Sequence, residues 1–465
     1  MEFIKKNKLN ILLITAWLYA AVCASVFHEM WRDEAQAWCL ARDAGFFELL
    51  KMTSIEGHPF LWHLLLFPAK LGIDVLYMHI LSLLLVFAAV IYFVFKSPFG
   101  YLIKIPAVFS AGLVYFLPVI PRSYALIPIL LFICADLYRK RHEYPYKYAA
   151  VLILISNTHA LIFGLCTALL LLFIYESIKR AAAEKNLRVL IPSASAAACY
   201  SALFIFLSGT LSNSFAFKSF INYMKTQKSF IDILGDFPLL FFEFDFLPKS
   251  VSILIFYGLT ALFAAVFFKY SKKIFFIFLS GFAGIFCIYA EMGFHGTAGQ
   301  KAYILLLVLL FCLWIFNQSF KNRLADICGA AVFIISALNS FFCLPQDIIY
   351  NFSGSKSTAE YIKTNLNSED IFCTIGAPMS FTPVTAYLPD KKFYSYINKF
   401  YFSYQDFSVK PSKMRDEEPF CRYFIVQRDF NMNEDYEIIF SSGDYILNDG
   451  EFAEVYAVYK KKAMI

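Results

Sequence analysis

Charge is what this sequence has least of. Only 16% of its 465 residues are Asp, Glu, Lys or Arg, against about a quarter in an average soluble domain. A chain of this length cannot build a water-facing surface from so few charges, which excludes a string of soluble domains. Disorder is excluded as well, because 59% of the residues are apolar. Cysteine is sparse, with 11 in all, and no C-x-x-C or Cys/His metal spacing occurs. That removes a disulfide scaffold and a zinc module. The net charge is only +6, and no basic, aromatic-interleaved tract marks a nucleic-acid interface. What the chain does have is hydrocarbon and aromatic surface, including 54 Phe and 29 Tyr. This is the composition of a polytopic membrane protein.

A bilayer core of ~30 Å takes about 20 apolar residues per helix. Stretches of that kind read as spans at 9–27, 75–95, 102–121, 124–138, 147–161, 161–178, 189–207, 251–268, 274–290, 302–317 and 324–344. The expected fold is therefore mainly α, a transmembrane bundle of about eleven spans within residues 1–345. Lys5, Lys6 and Lys8 resemble a signal peptide's basic start, but the long apolar stretch and the many spans behind it favour a retained helix. Basic residues gather in alternate loops, around Arg139–Arg141, Lys179–Arg188, Lys269–Lys273 and Lys321–Arg323. The positive-inside rule then places the N-terminus in the cytoplasm and, for an odd number of spans, the C-terminus outside. Pro59–Leu71 is too short to cross and carries Trp62, His63 and Lys70, so it reads as a helix lying in the outer interface.

From Gln346 the composition turns polar. Residues 346–465 read as a small extracytoplasmic α/β domain, with a helix at Ser357–Asn367. Strand-like runs fall at Asp370–Ile375, Tyr423–Gln427, Tyr436–Phe440 and Phe452–Tyr459. Cys373 and Cys421 are its only cysteines; pairing and two buried thiols are both open.

The first outer loop, residues 28–74, opens on His28-Glu29-Met30-Trp31-Arg32-Asp33-Glu34-Ala35-Gln36-Ala37-Trp38. Partial desolvation just past a span raises a carboxylate's proton affinity, while Arg32 lowers it. A carboxylate so placed can take a proton from an incoming hydroxyl; the plainer alternative is an acidic helix start in a wet loop. Further on comes Glu56-Gly57-His58-Pro59-Phe60-Leu61-Trp62. A span, then Asp-Glu with flanking Trp, then His-Pro-x-Leu-Trp resembles the GT-C membrane glycosyltransferases, in their protein O-mannosyltransferase and aminoarabinose-transferase branch. The matching motifs lie within residues 28–303.

That resemblance implies a GT-C-like bundle in a bacterial-type inner membrane. It implies transfer of a sugar from a polyprenyl-phosphate donor to an acceptor hydroxyl on the outer face. Asp33 falls on the family's general base, Glu34 shapes the catalytic site beside it, and Trp31 and Arg32 line it. His58 stands where relatives often carry a basic residue and is expected to line the site. One base suffices if the sugar's configuration inverts.

Other polar residues fall on the same outer face: Arg122 and Tyr124, His159, and Glu291, His295 and Lys301. Arg, His and Lys donate charge-assisted hydrogen bonds to phosphate oxygens. Arg122, His295 and Lys301 are thus expected on the donor phosphate, with Tyr124, His159 and Glu291 lining the site. The competing readings are a snorkelling Arg122 and a core His159. Asp33-Glu34 is not an Asp-x-Asp pair and offers too few oxygens for a divalent ion, so neither metal nor cofactor is expected. The partners expected are a lipid-linked sugar and an acceptor that is lipid, glycan or protein. The alternative function is a transporter or flippase of lipid-linked sugars. Such a protein tends to show paired repeats and mid-membrane charges, whereas Asp136 and Glu176 fall near inner span ends.

Overall fold

The computed structural model describes residues 7–211, 229–242, 248–292, 298–367, 370–407, 419–427, 430, 432–443 and 454–462. Among them, seven helices are long and apolar enough to cross a membrane. They are Lys8–Phe27, Leu76–Lys96, Ala160–Glu184, Leu187–Gly209, Lys249–Tyr270, Lys272–Ala290 and Arg323–Ile349. Shorter apolar helices occupy Ser123–Tyr138, Pro145–Ser156 and Lys301–Asn317. The expected span 102–121 is broken. It runs as a helix over Tyr101–Val108 and resumes as a π turn at Gly112–Phe116. Pro106 supplies no backbone N–H. Gly112 lies so near its neighbour that a Cβ there would sit 2.9 Å from Tyr303 Cβ. Side chains take the carbonyls around the break: Trp17 Nε1 donates to Leu113 O at 3.0 Å, and Ser82 Oγ to Leu117 O at 2.8 Å. Irregular backbone at membrane depth persists only where such partners cover it.

Elsewhere the bundle relies on small residues. The helices Phe163–Glu184 and Lys272–Met292 meet at Gly164 and Gly284, where a Cβ on Gly284 would lie 2.8 Å from Gly164 Cα. A Cβ on Gly164 would collide with the Ser280 carbonyl oxygen, while Ser280 Oγ donates to Gly164 O at 2.9 Å. Close backbone approach of this kind replaces the hydrophobic driving force that lipid cannot provide. Gly164→Leu should therefore cost ~1–3 kcal/mol or more through overpacking. Gly258→Leu is the control, since nothing lies within 4 Å of a Cβ at Gly258. Equal melting temperatures for the two variants in nanodiscs would defeat this account.

Loop contacts fix the two ends of the bundle. At one end Glu176 accepts from Arg141 Nε at 2.7 Å and from Lys273 Nζ at 2.6 Å, and Arg139 Nη1 donates to Gln318 O at 3.0 Å. Arg122, His159 and Lys301 stand at the opposite ends of the helices that carry or precede these groups. Seventeen residues of helix rise ~25 Å, so the separation of Lys301 from Gln318 is about a membrane's depth.

The C-terminal region holds one six-stranded sheet. Its strands are β1 (Ile371–Ile375), β2 (Lys392–Ser395), β3 (Phe400–Phe402), β4 (Tyr423–Gln427), β5 (Tyr436–Ser441) and β6 (Tyr456–Lys461), in the order β3-β2-β1-β4-β6-β5. β1 runs parallel to β2 and β4, and the other pairs are antiparallel. Side chains alternate between faces. Phe372, Ile425 and Val458 pack beneath the helices Ser355–Asn365 and Thr382–Tyr387, while Cys373, Phe424 and Tyr459 form the other face. Cys373 and Cys421 are joined as a disulfide with Cα atoms 5.8 Å apart, which closes the question their spacing left open. β2, β3 and Thr382–Tyr387 are additions to the expected elements. β6 starts at Tyr456, four residues later than the run that pointed to it. The last long helix also continues through residue 345 to Ile349.

The first loop and the C-terminal region pack as one unit. Ala386 shares a buried cluster with Trp38, Leu40, Trp62, Leu66 and Met78. Pro59–Leu71 does not rest with wet polar tips in an interface, as expected; Trp62 is 1% and His63 3% exposed. The helix Arg32–Asp43 lies over it and is covered in turn by Thr382–Tyr387.

Candidate active site

Asp33 begins the site. It lies in the first turn of the helix Arg32–Asp43, where carboxylates favour the helix N-terminus. Asp33 Oδ2 is 2.9 Å from Arg122 Nη1, and Oδ1 is 3.6 Å from Arg32 Nε. Its side chain is 21% exposed, so a small molecule can reach it. Burial works against the charge, but Arg122, Arg32 and Lys301 outweigh it and hold the carboxyl below its ordinary value. Of the two opposed influences read from the sequence, desolvation and a neighbouring cation, the cations prevail at Asp33 because three of them act there.

Arg122 precedes the 3-10 turn Ser123–Leu126. Its guanidinium stands 5.2 Å from the centre of the Tyr124 ring. That ring is 4.5 Å from His159, which in turn lies 5.3 Å from His58. Asp33, Arg122, Tyr124, His159 and His58 therefore form one continuous file. Lys301, in the first turns of Ala298–Asn317, is near enough for its charge to act on Asp33, His58 and His159.

The two imidazoles are neutral. Burial, Arg122 and Lys301 bring His58 down to about 4 despite Asp33. Burial, His58, Arg122 and Lys301 push His159 far down as well. His159 Nδ1 accepts the Leu161 N–H at 3.1 Å, so its proton sits on Nε2, which becomes a neutral donor. Among the described residues, His159 Nε2, His58 Nδ1 and the Tyr124 hydroxyl are buried without a hydrogen-bond partner. Three such groups side by side form a polar lining with unspent hydrogen-bonding capacity.

Local sequence explains how His58 gets there. Gly57 adopts a φ of 79°, a left-handed conformation natural to glycine. His58 N–H donates to Thr53 O at 2.9 Å and Gly57 N–H to Ser54 O at 3.1 Å. This pairing is the Schellman closure of the helix Phe46–Ile55. Glu-Gly-His-Pro is thus a helix stop, and it delivers both Glu56 and His58 to the site.

Glu34 is placed differently from its neighbour. It is completely buried: Oε2 accepts the Trp31 N–H at 3.0 Å, and Oε1 takes His28 Nε2 at 3.2 Å. His28 Nδ1 donates to Asp347 Oδ2 at 3.0 Å. Glu34 thereby joins three segments and is withdrawn from substrate, a correction to its expected catalytic place. Trp31 caps the same helix, with its ring 6.3 Å from Phe352, and Arg32 uses its backbone N–H to reach Glu454 Oε1 at 2.8 Å. His295 lies outside the described residues, as does the Glu291 side chain, although Glu291 belongs to the helix Lys272–Met292. No group of three or more metal-ligating side chains occurs among the described residues.

Sequence reasoning passed over Glu56, Gln36 and Glu454. Glu56 lay within the quoted motif, and its signal was the helix stop. Glu454 is more than 400 positions from Arg32, and nothing local announces the contact. No protein-family model, no curated protein and no solved structure matches this chain.

Proposed function

We propose that this chain is an integral-membrane glycosyltransferase that moves a sugar from a polyprenyl-phosphate donor to an acceptor hydroxyl. The observation that carries the proposal is the convergence of Asp33 with Arg122, Lys301 and two neutral histidines at one end of an apolar bundle. An apolar cleft lined by Leu305, Leu306, Leu309, Phe256, Phe263 and Phe282 begins one helical turn along from Lys301. Cations beside an apolar cleft match a ligand with a phosphate head and a hydrocarbon tail. Arg122 and Lys301 hold the phosphate through charge-assisted hydrogen bonds, and His159 Nε2 and the Tyr124 hydroxyl donate to sugar or phosphate oxygens. As the phosphate leaves, the same cations offset its growing charge. Asp33, ionised and reachable, takes the acceptor's proton. A single base fits a displacement that inverts the sugar's configuration.

In this reading the bundle comprises about eleven crossings, with the broken 101–116 segment among them. The Arg139–Arg141 end faces the cytoplasm, and the site and sheet region lie outside a bacterial-type inner membrane. Mass spectrometry of cell-envelope glycans, with and without the gene, should show one sugar modification lost. Lys301→Ala should weaken donor binding about 10- to 100-fold, the effect of one hydrogen bond to a charged group. Unchanged glycans together with unchanged binding of polyprenyl-phosphate sugars would sink the proposal.

A further inference from the structure

Glu56 stands beside the site with no part in the transfer just described. Its Oε1 accepts a hydrogen bond from Gln36 Nε2 at 2.8 Å. Among the described residues, no hydrogen bond reaches its Oε2. Gln36 is three positions after Asp33, hence on the same side of the helix Arg32–Asp43. Its amide cannot turn, because Oε1 accepts the Gln405 N–H at 2.8 Å while Nε2 also donates to Gln405 O at 2.9 Å. The sheet region thus clamps Gln36, and Gln36, one helical turn from Asp33 on the same helix, holds Glu56. The Schellman closure fixes it from the other side.

Asp33 is badly placed to keep a proton. Protonating it would give up the attraction of Arg122 and Arg32 for its charge. A proton taken there has to move on. Gln36 touches Glu56 directly, and the charges of Asp33, Asp406 and Arg122 act on it from farther away.

We propose that Glu56 is the terminal proton acceptor of the transfer reaction, receiving at Oε2 the proton that Asp33 takes from the acceptor hydroxyl. This rests on the glycosyltransferase reading above. The acceptor oxygen forms a bond to the sugar's anomeric carbon as the bond from that carbon to the phosphate oxygen breaks. The polyprenyl phosphate departs with one more negative charge, and the hydroxyl proton passes through Asp33 to the Glu56 carboxylate. Release of that proton to water resets the site, so atoms and charge balance without another reactant. Burial, helped by Asp33 and Asp406 against Gln36 and Arg122, pushes the Glu56 carboxyl up to about 7. At that value it accepts and releases a proton with little cost in either direction.

The test uses the full-length chain in nanodiscs, with a panel of polyprenyl-phosphate hexoses and pentoses, an envelope extract as acceptor, and polyprenyl phosphate release as readout. The wild type should show kcat rising with pH through about 7, where Glu56 becomes free to accept. Glu56→Gln keeps the bond from Gln36, so it should fold. It should lose kcat by ~10²-fold, leave KM for the donor nearly unchanged, and abolish the rise. Glu56→Asp should restore part of the rate and the pH dependence. Infrared difference spectra across the same pH range should contain a carboxylic-acid C=O band that is lost in Glu56→Gln and kept in Asp33→Asn. A Glu56→Gln enzyme with the wild-type pH profile would overturn the assignment while leaving the glycosyltransferase reading intact. A wild type that releases no polyprenyl phosphate from any donor would overturn both.

Discussion

Asp33→Asn should lower sugar transfer by ~10²–10⁴-fold, the usual contribution of a positioned base. Asparagine keeps the shape and can still meet Arg122 through its carbonyl, but it carries no charge and takes no proton. Asp33 is a surface of the site and not of the core, with 21% of its side chain exposed, so insertion and folding should survive. The measurement is turnover in membranes containing equal amounts of each protein. KM should move little, since in the proposed reaction Arg122 and Lys301, and not Asp33, hold the donor phosphate. Near-wild-type transfer would remove Asp33 from the chemistry. It would also remove the proton's point of departure toward Glu56.

The second large effect concerns stability. His28→Ala should destabilise the protein by ~3–5 kcal/mol, because it removes the partner that two buried carboxyl groups, Glu34 and Asp347, share. His28, Glu34 and Asp347 all have wholly buried side chains. Burial opposes the charge on His28, yet the two carboxylates prevail and raise it from 6.5 to about 10. The sign follows from linkage: a raised folded-state value means that the stabilisation is complete below pH 6.5 and fades as pH climbs through about 10. Thermal melts of the wild type should therefore drop on the alkaline side. The same melts of His28→Ala should start lower and lack that drop. Parallel pH dependence in both proteins would show that His28 carries no such charge.

Much of the candidate site was legible because the physics behind it is one-dimensional. Charge bias in loops sorts residues onto two sides of a membrane, and chemistry-bearing side chains on one side have few places to go. Arg122, Tyr124, His159 and Lys301 were singled out that way, Asp33 and His58 by their motifs, and all six lie in one file or within charge range of it. The reading went astray where a residue's partner is remote. Glu34 looks like the twin of Asp33 in sequence. A helix turns ~100° per residue, so one carboxylate faces Arg122 and the next faces His28, whose other nitrogen is held by Asp347, 319 positions away. The low value of Asp33 and the neutrality of the histidines likewise follow from Arg122 and Lys301, brought in from distant segments.

The sequence by itself determined the apolar helices and the polar turn near residue 346, since hydropathy and composition are local properties; the helix stop at Glu-Gly-His-Pro is local too, through glycine's backbone freedom, but went unread. Strands β2 and β3 escaped it, being three or four residues long and lacking a clear alternation. Only the tertiary structure decided that the 101–116 segment breaks, because its carbonyls need Trp17 and Ser82 from other helices. Only it paired Cys373 with Cys421, across strands that no local signal aligns. And only it brought Glu56 within reach of Asp33's charge, through a glutamine clamped by a backbone 369 residues further along the chain. Burial and long-range charge exist only once the chain has folded, and those two forces give this site its proton affinities.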